Sequence, residues 1–231
     1  MISIIPLDWD SKFFGLSIAK AVVTSEEDAS ILSGQAAELS DRFDLIYVFS
    51  ESDLRIPIEN ACLVDRKAVF SLNGPTLYNA DKHIKSWESL ETTESLVSLA
   101  LVSGKHSRFK IDTHFPAGSY ERLYTQWIKQ SVNKNIATEV FCYMIDECPR
   151  GLLTLDRRDG RNTIGLVAVD EDYRHRGIGT AMVEYAVSYV KEHDGGEISV
   201  TTQLENEAAC QLYSRCGFSL KSVTDIWHWW L

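Results

Sequence analysis

Long apolar runs are missing from this chain: none approaches the ~20 residues a membrane-spanning helix requires, so no membrane partner is expected. Positive charge is also scarce. The 231 residues carry 23 Lys and Arg against 33 Asp and Glu, a formal net charge of −10. A protein that neutralises a phosphate backbone needs the opposite balance, which argues against nucleic acid. Cysteine is limited to Cys62, Cys142, Cys148, Cys210 and Cys216, an odd set with no C-x-x-C spacing. Cys142 and Cys148 flank an expected hairpin with no second pair to complete a zinc tetrahedron. The six His residues show no ligand spacing and no H-E-x-x-H, so no metal is expected. Cys210 and Cys216 are expected to be buried structural thiols. The opening MISIIPLDWDS lacks the basic stretch and apolar segment of a secretion signal, which points to a cytoplasmic location.

What is present suffices for a real core. Apolar residues make up 45% of the chain, and the length allows one large domain or two small ones. Ile18 to Val23 and Leu45 to Ser50 read as strands. Ser25 to Ser40 reads as a helix, with Ser25 capping and acids in its first turn. Cys62 to Leu72 is β-type, and Glu88 to Val102 fits helix or strand. Ser103 to Gly118, rich in Gly, Ser, Pro and charge, is the expected junction between a small N-terminal α/β unit (1–104) and a second domain (105–231). Ser119 to Val132 reads as a helix burying Leu123, Trp127 and Ile128. Val140 to Asp146, Leu152 to Arg157 and Asn162 to Val169 read as strands, with Asp159-Gly160 turning the last two. The tail with Trp227, Trp229 and Trp230 is a last strand or part of a homodimer contact. No internal repeat or low-complexity tract is evident.

The most informative stretch is IGLVAVDEDYRHRGIG, Ile164 to Gly179. An apolar strand runs through an acidic turn into Arg174-His175-Arg176-Gly177-Ile178-Gly179. A helix pattern then spans Thr180 to His193. The first N–H groups of a helix are unpaired and carry partial positive charge, and glycine lets a phosphate approach closely. The arrangement reads as a pyrophosphate cradle, with a glycine-rich helix entry that holds no ligand as the alternative. A Walker loop would need Lys after Gly179, where Thr180 stands. A dinucleotide fingerprint would need a third glycine where Met182 stands.

A second motif follows, Asn206-Glu-Ala-Ala-Cys-Gln-Leu-Tyr213-Ser-Arg-Cys-Gly217-Phe218, after a strand over Glu197 to Thr202. Asn206, Ala209 and Tyr213 share one helix face, and Ala208, Leu212 and Cys216 fall on the other side. With both motifs in order, Val140 to Leu231 resembles the GNAT acyltransferases, whose pattern is [Q/R]-x-x-G-x-[G/A] at a helix start, then N-x-x-A with a downstream Tyr and G-F. The opening Leu7-Asp-Trp-Asp-Ser-Lys-Phe-Phe-Gly15 and the middle segment (Ser107-Arg108-Phe109, Asp112, Phe115, Tyr124, Trp127-Ile128) are similar to nucleotide-amino-sugar N-acetyltransferases of the TDP-fucosamine type.

The resemblance implies a fold with a mixed, splayed central sheet flanked by helices. It implies acetyl-CoA as co-substrate and a small-molecule amine as acceptor. Backbone groups of His175, Arg176, Gly177, Ile178, Gly179 and Thr180 would hold the pyrophosphate. The Arg174 and Arg176 side chains would add charge-assisted bonds or simply face solvent. Leu166, Val167, Ala168 and Val169 would line the pantetheine arm, and an N–H from Val167 to Val169 would polarise the thioester carbonyl, a contribution of ~3 kcal/mol. Asn206 and Ala209 would contact pantetheine, or Asn206 would only cap its helix. Tyr213 would be the general acid for the departing thiolate. Ser107, Arg108, Phe109, Tyr124 and Trp127 would form the acceptor pocket, suited to a dTDP-4-amino-deoxysugar, or the basic stretch Lys105 to Lys110 would be an inter-domain linker packed on a helix. The acids Asp170, Glu171, Asp172 and Glu205 lie near the strand ends, yet none is singled out as base; a water chain would serve as well. Two other functions stay open: acetylation of a protein or peptide amine, and CoA binding without turnover.

Overall fold

The computed structural model describes residues 2–79, 81–193 and 195–231. The chain opens with β1 (Ile4–Pro6), α1 (Asp8–Phe14), β2 (Ile18–Val22), α2 (Glu26–Gly34), α3 (Ala36–Ser40), β3 (Leu45–Glu51), β4 (Ala61–Leu72) and β5 (Ile84–Ser86). There follow α4 (Glu94–Ser103), α5 (Arg108–Ile111), α6 (Ser119–Val132), β6 (Glu139–Ile145), β7 (Cys148–Asp156) and β8 (Asn162–Val169). A 3-10 turn (Glu171–Tyr173), α7 (Ile178–His193), β9 (Ile198–Gln203), α8 (Glu207–Arg215) and β10 (Ser219–Trp230) complete it.

Most expected elements are present where the local pattern put them. Ser25 caps α2, its Oγ accepting from Asp28 N at 3.1 Å. The single helix expected over Ser25 to Ser40 is instead two, because Gly34 ends α2 and Gln35 leaves the helical path. Of Glu88 to Val102, only the part from Glu94 is helix, as α4, capped by Thr93; 88–93 are neither helix nor strand. α1 has no counterpart in the sequence expectations; Gly15, left-handed at φ 72°, ends it with an N–H bond to Ser11 O. Asp159 and Gly160, at φ 55° and 69°, make the expected tight turn between β7 and β8.

All ten strands join one mixed sheet among the described residues, in the order β1-β2-β3-β10-β4-β9-β8-β7-β6-β5. Among the described residues, only β2–β3 and β8–β9 run parallel. The tryptophan tail is strand β10, inserted between β3 and β4, with Trp229 buried. Strands from before residue 104 pair with strands from after it: β4 with β9 and β10, and β5 with β6. Residues 1–104 and 105–231 therefore share one sheet.

Each face of the sheet has its own core. α7 and Tyr213 of α8 pack with Phe70, Phe141, Leu153, Ile164 and Val200 on one face. Phe14, Leu96, Leu99, Leu123 and Ile128, from α1, α4 and α6, pack with Tyr47, Val140, Leu152, Leu166 and Ala168 on the other. Successive strand residues such as Val140 and Phe141 go to opposite cores, as the period of two requires. A third core, under α2 and α3, holds Ile46, Val48 and Trp229. No described helix is long and apolar enough to cross a membrane.

Candidate active site

The neighbouring strands β8 and β9 are paired over only three positions, Asn162 with Ile198, Thr163 with Ser199 and Ile164 with Val200. Past Ile164 they part, and a cavity of about 1060 Å³ opens there. The other edge of β8 stays bound to β7. Leu166 N donates to Thr154 Oγ1 at 2.8 Å, and Asp170 N donates to Arg150 O at 2.8 Å. Alternation along the strand turns the N–H groups of Val167 and Val169 to the opposite edge, facing the gap.

The loop beyond β8 is held from within. The Asp170 carboxylate takes Asp172 N and pairs with Arg150 at 2.8 Å. His175 and Gly177 adopt left-handed φ of 61° and 77°, and Gly177 supplies that geometry without steric penalty. The first bond into α7 is Ala181 N to Gly177 O at 2.9 Å, and the N–H groups of Ile178, Gly179 and Thr180 find no backbone acceptor among the described residues. The two arginines brace this loop. Arg174 donates through Nε to Val169 O at 3.3 Å and pairs with Glu171 at 3.2 Å. Arg176 donates to Asp172 O at 3.0 Å and lies 4.9 Å from the Tyr173 ring. Arg174, His175 and Gly177 to Thr180 line the cavity; Arg176 does not.

Opposite the loop, Asn206 caps α8, accepting from Ala209 N at 3.3 Å, and both residues line the cavity. Further along α8, Tyr213 is 4% exposed, its ring 6.0 Å from both Phe70 and Phe218. Its hydroxyl has no hydrogen-bond partner among the described residues, and the residue borders the cavity. Burial, with minor help from Cys210 and Cys216, raises its pKa far above the usual phenol range, so it stays protonated. Free donors at a helix N-terminus, an unpaired strand edge and a protonated phenol thus meet in one cleft.

Residues 107–218 match the Acetyltransferase (GNAT) family. This chain carries a GNAT acetyltransferase domain. It is similar end to end to dTDP-fucosamine acetyltransferase of Escherichia coli, 25% identical over 96% of this chain and 95% of that one. It is also similar to the spore coat polysaccharide biosynthesis protein SpsD of Bacillus subtilis, 22% identical over 96% of this chain and 81% of that protein. A shorter match, to an uncharacterized N-acetyltransferase of Methanocaldococcus jannaschii, is 38% identical over 61 residues, so the chain spans only 27% of that relative's length. In fold it is similar to a GCN5-related N-acetyltransferase from Sphaerobacter thermophilus, with a TM-score of 0.62 at 13% identity over 99% of this chain and 76% of that one. GNAT acetyltransferases use acetyl-CoA.

On the acceptor side of this acetyltransferase the sequence expectations divide. Tyr124 and Trp127, on α6, line the cavity with Lys105 and His106. Ser107, Arg108 and Phe109 do not. Ser107 is buried and caps α5, its Oγ accepting from Phe109 N at 3.3 Å. Phe109 stacks on Phe14 at 5.2 Å inside the core. The Arg108 guanidinium lies 4.6 Å from the Tyr47 ring and 4.7 Å from that of Phe109. No group of three or more His, Cys, Asp or Glu that could hold a metal occurs among the described residues. Burial raises the thiols of Cys210 and Cys216, the latter to about 11, the reverse of an activated nucleophile.

The structure adds residues that no local motif marked. Asp65 of β4 is 9% exposed, with Oδ1 unpartnered. Desolvation lifts its pKa to about 6 against the pull of Arg108, and Gln203, which lines the cavity, sits beside it. Asp65 is followed directly by Arg66 and Lys67, so within β4 the sequence alone did not set it apart.

Proposed function

We propose that this acetyltransferase moves the acetyl group of acetyl-CoA to the amine of a nucleotide-activated amino sugar, a dTDP-4-amino-deoxysugar, by direct attack in a ternary complex. The convergence of the α7 N-terminus, the free edge of β8 and the Tyr213 hydroxyl on one cavity carries this reading. N–H groups of Gly177 to Thr180 would hold the pyrophosphate. The edge from Leu166 to Val169 would guide pantetheine, and the inward N–H of Val167 or Val169 would stabilise charge developing on the thioester oxygen. Asn206 and Ala209 flank the same path. As the amine nitrogen attacks the carbonyl carbon, Tyr213 passes its proton to the departing thiolate, and Asp65 takes up the proton shed by the amine. The end-to-end amino-sugar relative supports the choice of acceptor.

Thiol release measured with a dTDP-4-amino-deoxysugar, a free amino sugar and peptides with free N-termini or Lys tests the assignment. Highest kcat/KM on the nucleotide sugar is the expected result. Turnover confined to peptides would move the acceptor to proteins, and acetyl-CoA binding without turnover on any amine would end the enzymatic reading.

A pH profile tests Asp65. Its carboxyl must be ionised to accept a proton, so kcat/KM rises with pH through about 6, where its raised pKa lies. Asp65→Asn should abolish that limb and lower kcat/KM by about 100-fold. An unchanged limb in the variant would assign the titration to another group.

A further inference from the structure

Beside the thioester cleft, four buried side-chain atoms make no hydrogen bond of regular geometry: Tyr47 Oη, Asp65 Oδ1, Arg108 Nε and His228 Nε2; Arg108 and Asp10 lie within looser reach of Tyr47, and Gln203 of Asp65. The four come from β3, β4, α5 and β10. Tyr47 and His228 face each other across the β3–β10 register, both 1% exposed, with rings stacked at 4.9 Å. Asp65 stands opposite Ile226, two residues along β10 from His228, and so shares that sheet face. Arg108 spans the group and interacts with Asp10, Tyr47, Asp65 and His228. Asp10 and Arg108 are half-buried and form the solvent side. Tyr124, which borders the thioester cavity, lies within electrostatic reach of both Asp65 and Arg108.

Asp112 fixes the chemistry of the deepest member. Its Oδ2 receives His228 Nδ1 at 2.5 Å and Trp230 Nε1 at 3.0 Å, while Oδ1 receives the His114 backbone N–H at 3.0 Å. With Nδ1–H committed to that carboxylate and burial favouring the neutral ring, Nε2 presents a lone pair. The orphaned set therefore contains two acceptors, His228 Nε2 and Asp65 Oδ1, one donor, Arg108 Nε, and one group that does either, Tyr47 Oη. Buried polar atoms are almost always satisfied, so four together mark a place where a ligand completes the bonding. A bare anion would leave the acceptors unmet, and a bare cation would leave the donor unmet. Neighbouring hydroxyls, each donating and accepting, suit all four.

We propose that Tyr47, Arg108, His228 and Asp65 form a subsite for the ring hydroxyls of the acceptor, and that the enzyme selects a pyranose bearing adjacent hydroxyls beside its amine. This rests on the acetyl-transfer reading for its biological sense, and on the cluster alone for its chemistry. Asp65 lies where the ring and the amine meet. Asp112 is a positioning residue that acts through His228.

Binding, measured without turnover, tests the subsite. Methyl 4-amino-4,6-dideoxy-α-D-galactopyranoside and its 2,3-dideoxy counterpart would be titrated into the full chain saturated with acetyl-CoA's unreactive product, CoA, and followed by ligand-observed NMR. The hydroxylated glycoside should bind at least about 10-fold more tightly, a margin that Tyr47→Phe should erase while the CoA Kd stays unchanged. Equal binding of the two glycosides, or a margin that survives Tyr47→Phe, would overturn the subsite. Selective binding without acetylation of any amino sugar would sink the catalytic reading instead and leave the subsite standing.

Discussion

Tyr213→Phe should lower kcat by about 100-fold while leaving the acetyl-CoA Kd within a factor of two. The phenol is buried among Phe70, Phe218 and the cysteines, and its hydroxyl bonds to nothing among the described residues. Removing an unpartnered buried hydroxyl costs the fold little, so the variant should melt at the wild-type temperature or slightly above it. A packed tyrosine with no chemical task would give unchanged kcat. A purely structural one would give a lower Tm and weaker acetyl-CoA binding. Because burial keeps the phenol protonated throughout the working range, the wild-type profile should show no falling limb from Tyr213 at alkaline pH. Rapid-quench measurement of the acetylated product separates loss of chemistry from slow release.

Gly177→Val should weaken acetyl-CoA binding by about 10- to 100-fold, since a β-branched residue at φ 77° carries roughly 1–3 kcal/mol of strain that the loop would relieve by turning its N–H groups away from the phosphates. The control is Gly160→Val in the β7–β8 turn, at φ 69° and with open space on the side a Cβ would occupy. It imposes comparable strain and should lower the melting temperature without changing the acetyl-CoA Kd. Equal loss of affinity in both variants would mean that the cradle geometry is not what binds the phosphates. Calorimetry on the two variants and the parent decides the point.

The site was legible in sequence where it is built from consecutive residues. The cradle needs only a strand end, glycines at fixed offsets and a helix start, all within Ile164 to Thr180. The Asn206–Tyr213 face follows from one helical period. The acceptor side was legible only in part. Tyr124 and Trp127 face the cavity because α6 is amphipathic, and the helix pattern shows that. Arg108 and Phe109, equally conspicuous in sequence, belong to a four-residue helix whose side chains turn toward Tyr47 and Phe14. The Tyr47–Asp65–His228 group is assembled by pairing β10 between β3 and β4, a contact between the two ends of the chain that no local pattern encodes. The same insertion explains why residues 1–104 and 105–231 share a sheet despite the polar stretch between them. Asp112 was visible as a polar residue of the middle segment, but its bonds to His228 and Trp230 depend on that long-range pairing.

In the proposed function, free amide hydrogens at the start of α7 grip the diphosphate of acetyl-CoA and thereby aim its thioester at Tyr213. Backbone amide NMR of the isotopically labelled chain during titration with acetyl-CoA tests it directly. The largest proton shifts should fall on Gly177, Ile178, Gly179 and Thr180, with a second group on Val167 and Val169, saturating together. Saturable binding that leaves those amides unmoved, or no binding at all, would contradict it.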